Sequence, residues 1–236
     1  MRFLHNIFCL ILCIFLCIPI FCADDYLIDS IYSESQSAVV PEIIEPLIDA
    51  PQKTETSHKS TKKQKLSIDL PENNKLIQKY RKEYTSAFGK KWLYNIMKNA
   101  EPYRLYIRSE IQKRNMPEFL EYLPVIESSY SIKAVSKSGA TGLWQFMPST
   151  GKRYGLEINS LVDERMDPIR STEAACSFLS DLYDIFGDWN LAIAAYNCGP
   201  GNVNKAIHRA QGKRDFWSIY PFLPKETRGY LPIFIA

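Results

Sequence analysis

The chain has 236 residues, of which 46% are hydrophobic, 23% charged and 13% aromatic. These fractions are typical of a globular protein and exclude a collagen-like chain, a fully disordered chain and a membrane protein with many spans. The net charge of +3, from 29 Lys and Arg against 26 Asp and Glu, is too small to indicate a nucleic-acid surface. The length allows one domain of about 150–200 residues with additional segments.

The N-terminus has the pattern of a secretory signal peptide. Arg2 precedes an uncharged stretch at residues 6–23 that is rich in Leu, Ile, Phe and Cys, and Asp24 and Asp25 end it. The stretch is short for a transmembrane helix, which needs about 20 apolar residues and usually basic flanks. We therefore expect residues 1–23 to be a cleaved signal peptide and the protein to be exported to the periplasm.

A lipid anchor is the alternative to a freely exported protein. Cys22 stands where an acylated cysteine could lie, but Phe21 before it is bulkier than a lipid-attachment site normally accepts. Cys17 has the same defect, because Leu16 precedes it. The sequence favours cleavage and leaves a membrane tether open.

Residues 24–72 have the composition of a linker. Every charged residue from 24 to 52 is acidic, whereas residues 53–65 carry five Lys and a single Glu, with Pro, Ser and Thr scattered throughout. Such a stretch cannot bury enough apolar surface to offset its chain entropy. We therefore predict a disordered tether.

Helical periodicity begins at about residue 73. Apolar residues recur at helical spacing in the stretches 76–84, 92–97 and 103–111, and alternating strand patterns are nearly absent. The sequence thus predicts one mainly α domain over residues 73–236.

Prolines and glycines mark further helix boundaries. Pro117 is placed to open a helix that Pro124 would kink, and Asp167 is placed to cap a helix that Gly187 ends. Asp188 can cap the short apolar helix that follows.

Two cysteines lie within the predicted domain. Cys176 and Cys198 stand eleven positions on either side of Gly187, so a helical hairpin turning there would place them at similar heights. A disulfide in an oxidising compartment is one interpretation. Two small buried side chains are the other, and we favour it.

Metal and nucleophile chemistry find little support in the sequence. Outside the signal segment the only histidines are His58 and His208, too few for a zinc site and poorly placed for a Ser–His–acid triad. Glycine-rich phosphate loops are also missing. We expect no metal and no organic cofactor.

Glu127 is the carboxylate in the most unusual context. It follows the apolar run at residues 122–126 and precedes Ser128. Burial at the end of an apolar helical face disfavours the charged form and raises the pKa, as a general acid near neutral pH requires. A glutamate facing water is the alternative, and spacing alone favours that alternative.

Two nearby segments favour the catalytic interpretation. Residues 138–148 bring an indole, an amide, an aromatic ring and a thioether together, and residues 195–201 place a phenol and an amide where a helix ends. Such groups bind sugars by stacking and hydrogen bonding. Packing of Trp144 or Met147 onto the core, and a simple capping role for Asn197, are the alternatives.

Five motifs in order make the sequence resemble the transglycosylase SLT domain family, with its goose-lysozyme-like helical fold. The resemblance covers about residues 80–236 and is greatest to the membrane-bound lytic transglycosylase D subfamily. The motifs lie at residues 126–129, 142–148, 163–168, 195–201 and 223–232.

The resemblance implies roles for individual residues. Glu127 matches the catalytic acid/base, and peptidoglycan glycan strands are the implied partner of a monomeric enzyme. The implied glycan-binding residues are Ser128, Gln145, Phe146, Met147, Tyr196, Asn197 and Tyr230. Cys198 stands where the family usually has alanine, and relatives usually continue beyond the end of this sequence.

The implied reaction is cleavage of the N-acetylmuramic acid–N-acetylglucosamine β-1,4 bond with formation of 1,6-anhydro ends. Two alternatives stay open at this point. One is a muramidase that hydrolyses the same bond, with Asp163 or Asp167 holding a water molecule. The other is a non-catalytic protein that binds the cell wall.

Overall fold

A computed structural model of the chain describes residues 74–236. The predicted signal peptide at residues 1–23 and the tether at residues 24–72 lie outside the described residues and stay predictions. Over residues 74–236 the chain is mainly α-helical, as expected, and its β pairing is limited to three isolated bridges. The helices are α1 (Lys75–Thr85), α2 (Ala87–Lys113), α3 (Leu123–Ser128), α4 (Pro148–Arg153), α5 (Pro168–Phe186), α6 (Trp189–Cys198), α7 (Pro200–Arg209), α8 (Phe216–Ile219) and α9 (Lys225–Ile235).

Several helix ends lie where the sequence predicted them. The Asp167 carboxylate accepts hydrogen bonds from the backbone N–H groups of Ile169 and Arg170 at the start of α5. Gly187 ends α5 with a φ of 67°. Asp188 then caps α6 by accepting from the Leu191 N–H at 2.9 Å. These caps satisfy donors that an isolated helix end leaves unpaired.

The region around Pro117 differs from the prediction of one kinked helix. The chain instead forms a short 3-10 helix, Glu118–Tyr122, and then begins α3 at Leu123. Pro124 therefore lies in the first turn of α3, where its missing N–H costs nothing, rather than in a helix interior.

Helix α2 is longer than its periodicity indicated. The apolar stretches 92–97 and 103–111 belong to one continuous helix of 27 residues that contains Pro102. Pro102 is exposed. Water can therefore reach the backbone carbonyl that loses its helical partner there.

The core lies between α5, α6 and the helices that pack around them. Helices α5 and α6 form a hairpin, which contacts α2, α7 and α9. Trp144 is fully buried in this core, and its indole N–H donates to the Thr172 hydroxyl at 2.9 Å. Of the two interpretations of Trp144, the structure therefore supports packing onto the core. Cys176 and Cys198 are both free thiols, the first buried and the second half-buried.

A buried ion pair holds the loop between α3 and α4. Arg165 is 7% exposed and pairs with Asp163 at 2.7 Å. Its guanidinium also donates to the backbone carbonyls of Gly139 (2.8 Å) and Phe146 (3.0 Å). Because one planar cation bonds both sides of the loop, it fixes the conformation of the segment that contains Gln145.

Gly142 lets this loop approach the Arg165 backbone. Its φ is +84°, and a Cβ built there would lie 1.8 Å from the Arg165 carbonyl oxygen. Both the left-handed conformation and the close contact therefore require glycine.

We expect Gly142→Ala to lower the free energy of unfolding by about 3 kcal/mol or more, because steric overlap adds to backbone strain. Gly155→Ala is the matched control, since Gly155 has a φ of +82° but open space around it. The control should cost only about 1–2 kcal/mol. Denaturant unfolding followed by circular dichroism measures both, and equal losses would contradict this account of Gly142.

Candidate active site

Glu127 lies at the C-terminal end of α3, where the chain turns sharply. Ser129 and Tyr130 both have left-handed backbone conformations, with φ of 54° and 59°. Tyr130 is 2% exposed, and its hydroxyl donates to the Glu121 backbone carbonyl. Non-glycine residues adopt this conformation only where surrounding contacts stabilise it, so the end of α3 is held in place.

The Glu127 carboxyl is half-buried and bonded to a residue from the far end of the chain. The Tyr230 hydroxyl, on α9, donates a hydrogen bond to Glu127 Oε1. Burial raises the pKa of Glu127 to about 7, and the hydrogen bond from Tyr230 acts in the opposite direction. At neutral pH the group is therefore present in both its protonated and its ionised form, as a residue that gives and recovers a proton requires.

Two tyrosines accompany this carboxyl. Tyr230 is 3% exposed, and Tyr196 on α6 is half-buried. The Tyr196 hydroxyl donates to the Trp144 carbonyl at 2.7 Å, and its ring centroid lies 5.2 Å from that of Phe178. Burial raises the pKa of both phenols well above the ordinary value, and the negative charge of Glu127 raises it further. Both hydroxyls therefore stay protonated donors at neutral pH.

Gln145 has a side chain that the backbone orients. Its φ is 49°, and its amide nitrogen donates to the carbonyls of Gly142 (2.9 Å) and Ala134 (3.2 Å). The amide is half-buried. Because both bonds use the nitrogen, the carboxamide oxygen is the group that it can offer to a ligand hydroxyl or N–H.

Ser128 and Phe146 were predicted to bind glycan, but each is only 2% exposed. The Ser128 hydroxyl donates to the Leu143 carbonyl at 2.9 Å and so joins α3 to the loop. The Phe146 ring packs against Phe178 in the core. In this structure neither side chain offers surface to a ligand, and both support the residues around them.

Met147 and Asn197 keep accessible surface. Met147 is half-buried immediately before α4, and Asn197 is exposed in the last turn of α6. Asn197 directly follows Tyr196, and Met147 follows Gln145 by two positions. The structure thus joins Glu127 and Tyr230 by a hydrogen bond and brings Tyr196 within electrostatic range of both, whereas Met147 and Asn197 adjoin the other site residues along the chain.

Asp163 and Asp167 are both engaged in structural contacts. The hydrogen bond from Arg165 holds the pKa of Asp163 below its usual range. Asp167 caps α5 through its carboxylate. The predicted helix cap at Asp167 is confirmed. Sequence reasoning missed the role of Arg165, because a charged residue in a polar segment normally indicates a solvated surface.

Within residues 74–236, no group of three or more His, Cys, Asp and Glu side chains converges as metal ligands would. In the same part of the chain, no helix combines the length and the apolar character needed to cross a bilayer.

Comparison with known proteins places the chain in a family. Residues 104–219 match the model of the transglycosylase SLT domain. The membrane-bound lytic murein transglycosylase D of Escherichia coli (strain K12) is 42% identical over 175 residues, covering 72% of this chain and 38% of that protein. The soluble lytic murein transglycosylase of the same strain is 33% identical over 116 residues, covering 47% of this chain and 18% of that protein.

A solved structure shares the fold. The 70 kDa soluble lytic transglycosylase of Escherichia coli superposes with a TM-score of 0.51 at 23% identity, over 66% of this chain and 28% of that chain. The described residues therefore have a lysozyme-like helical fold, as predicted. The chain belongs to the transglycosylase SLT domain family. It spans less than half the length of these relatives.

The raised pKa of Glu127 makes its protonation part of folding stability. The folded state binds the Glu127 proton up to about pH 7, whereas the unfolded chain releases it around the ordinary glutamate pKa of 4.5. Between these values the folded state holds more protons, so this contribution to stability falls as pH rises.

We therefore expect Glu127→Gln to be more stable than the wild type by about 1–2 kcal/mol at about pH 8, with the difference disappearing below about pH 4.5. Denaturant unfolding across this pH range measures it. Glu118→Gln, at an exposed position, is the control. A stability difference that does not vary with pH would contradict the burial of the Glu127 carboxyl.

Proposed function

We propose that this protein is a lytic transglycosylase that cleaves the N-acetylmuramic acid–N-acetylglucosamine β-1,4 bond of peptidoglycan and forms 1,6-anhydro-N-acetylmuramic acid ends. The observation that carries the proposal is the state of Glu127. It is half-buried, titrates at about pH 7 and is oriented by Tyr230. The names of the family and its relatives support the same reaction.

The first step uses Glu127 as a general acid. Its protonated carboxyl gives a proton to the glycosidic oxygen, the bond from that oxygen to C1 breaks, and the N-acetylglucosamine leaves with a free 4-hydroxyl. The 2-acetamido group of the muramic acid stabilises the positive charge that develops at C1. Substrate-assisted glycosidases work in this way and need no second carboxylate nucleophile.

The second step uses the same residue as a base. Ionised Glu127 takes the proton of the muramic acid C6 hydroxyl, and O6 attacks C1 to close the 1,6-anhydro ring. The carboxyl returns to its protonated form, and no water is consumed. Gln145, Tyr196 and Asn197 position the sugar so that its own hydroxyl, rather than water, reaches C1.

The surroundings of Glu127 favour this route over hydrolysis by two carboxylates. Among the described residues, burial raises the pKa of Glu127 and the hydrogen bond from the Tyr230 hydroxyl lowers it. Asp163 and Asp167, the candidates for holding a water molecule, are occupied by Arg165 and by the α5 N-terminus.

The proposal extends to where and how the enzyme acts. We propose that it is exported and acts as a monomer on glycan strands of the cell wall. The curated relatives named above are described as membrane-bound in one case and soluble in the other. A lipid anchor thus stays the alternative to a freely soluble form.

We expect Glu127→Gln to lose cleavage of purified peptidoglycan by at least about 10³-fold while still binding glycan, because the amide cannot exchange the proton. Mass spectrometry of the soluble products measures this. Wild-type products with 1,6-anhydro ends support the transglycosylase, and reducing ends with uptake of labelled water support the muramidase. If Glu127→Gln kept full turnover, Glu127 would not be the catalytic acid/base.

We expect Tyr230→Phe to move the alkaline limb of the pH–kcat/KM profile to higher pH, because loss of a hydrogen bond that stabilises the carboxylate raises the pKa of Glu127. The rate below that limb should fall about tenfold, since the carboxyl is less well oriented. Tyr183→Phe removes a hydroxyl from another half-buried tyrosine and serves as the control. An alkaline limb at the wild-type pH would show that Tyr230 does not act on Glu127.

A further inference from the structure

The turn that directly follows Glu127 has an unusual backbone. Ser129 and Tyr130 are consecutive residues in the left-handed conformation, with φ of 54° and 59°, and neither is a glycine. Strain of this kind persists only where surrounding contacts over-determine the conformation, and it concentrates at functional sites. The contacts that hold this turn therefore bear on where the Glu127 carboxyl lies.

Tyr130 closes a loop around α3 with both its backbone and its side chain. Its backbone N–H donates to the Pro124 carbonyl at 3.1 Å, and its buried hydroxyl donates to the Glu121 carbonyl, nine positions earlier in the chain. Glu127 lies inside the segment that this hydroxyl closes. A shift of the Tyr130 side chain therefore shifts the turn next to Glu127.

The other end of the loop is bonded to α2. The Glu121 carboxylate is 2% exposed and accepts from Arg108 Nε at 2.9 Å and from Arg108 Nη2 at 2.8 Å. Arg104 Nη2 adds a bond at 3.0 Å. Such charge-assisted bonds are short and directional. They fix Glu121 against α2, and with it the carbonyl that receives the Tyr130 hydroxyl. We call Glu121, Tyr130 and the two arginines the brace.

The buried residues of the brace do not touch the substrate. The Glu121 and Tyr130 side chains are each 2% exposed, and their polar atoms are engaged by the arginines and by the Glu121 carbonyl. Glu127 is bonded to Tyr230 on a different element, α9. A bond between two elements depends on the placement of both, and a misplacement of about 1 Å can cost about 10²-fold in rate.

We propose that Glu121 and Tyr130 are positioning residues for Glu127, because they fix the turn after α3 that directs this carboxyl to Tyr230 and to the bond that is cleaved. The inference rests on the proposed function, since it takes Glu127 to be the acid/base. Tyr230 from α9 and Tyr196 from α6 are the titratable groups whose interaction with Glu127 the structure shows. Both stay intact when the brace is altered.

The direct test is the titration of Glu127 in the full-length protein. Carbon-13 NMR follows the glutamate carboxyls, and Glu127→Gln identifies the Glu127 signal. We expect Tyr130→Phe to raise the pKa of Glu127, because a displaced carboxyl accepts a weaker bond from Tyr230 and that bond lowers the pKa. On purified peptidoglycan, kcat should fall about tenfold with KM changed less than twofold, and the alkaline limb of the pH profile should move to higher pH.

Tyr106→Phe is the matched control for loss of a structural hydroxyl. Tyr106 is a half-buried tyrosine on α2 whose hydroxyl donates to Glu173 at 3.1 Å. Both variants should unfold at a lower denaturant concentration than the wild type. Only Tyr130→Phe should change the pKa of Glu127 and kcat.

Glu121→Gln tests the other end of the brace. It keeps the shape of the side chain but loses the charge that both arginines bind. The side chains of Arg104 and Arg108 are 35% and 38% exposed, so both cations stay solvated and the variant folds. We expect the same changes as for Tyr130→Phe, with kcat about threefold lower. Glu118→Gln, at an exposed position in the same 3-10 helix, should leave the pKa of Glu127 and kcat unchanged.

A double variant tests the route from the brace to the acid. If the brace acts through the Tyr230 bond, Tyr130→Phe combined with Tyr230→Phe has the same Glu127 pKa as Tyr230→Phe alone. Three results would overturn the inference. They are a wild-type Glu127 pKa and kcat in Tyr130→Phe, a raised KM with unchanged kcat, and additive pKa shifts in the double variant.

The NMR titration needs no turnover, so the inference and the proposed function fail separately. Cleavage by the wild type with an unchanged Glu127 pKa in Tyr130→Phe removes the brace alone. A raised Glu127 pKa in Tyr130→Phe without cleavage by the wild type removes the proposed reaction and keeps the brace as the support of Glu127.

Discussion

The hydrogen bond between Glu127 and Tyr230 is the interaction on which the proposed chemistry depends. It joins α3 to α9 across 103 positions of the chain. Burial alone would raise the pKa of Glu127, and the phenol moderates that effect so that the group titrates at about pH 7. Because the two elements meet only in the folded core, the acid acquires its pKa and its orientation in the same event.

A second constraint fixes the loop that carries Gln145, one of the residues proposed to hold the sugar. Arg165 bonds the loop at Gly139 and Phe146, and Ser128 bonds the same loop through the Leu143 carbonyl. The loop in turn fixes Gln145 and offers the Trp144 carbonyl to Tyr196. The buried Arg165, which no sequence motif identified, thus helps to hold the loop that lies between the helix carrying the acid and the residues proposed to bind the substrate.

Some residues that the sequence predicted to bind glycan are buried and support the structure of the site instead. Phe146 and Ser128 sit inside motifs whose neighbours are accessible, yet both are buried. A loop does not have the fixed alternation of a strand or the period of a helix. Sequence spacing therefore does not tell which of its side chains turn inward, and the contacts with Phe178 and Leu143 decide it.

The sequence by itself determined the helical class, the caps at Asp167 and Asp188, the turn at Gly187 and the candidacy of Glu127. These features follow from local periodicity, backbone preferences and ordered motifs, which act between residues close in the chain. Only the tertiary structure decided that Pro124 begins α3, that Cys176 and Cys198 stay unpaired, and that Tyr230 reaches Glu127. Such contacts depend on how segments far apart in the chain pack together, and a local sequence pattern does not specify that packing.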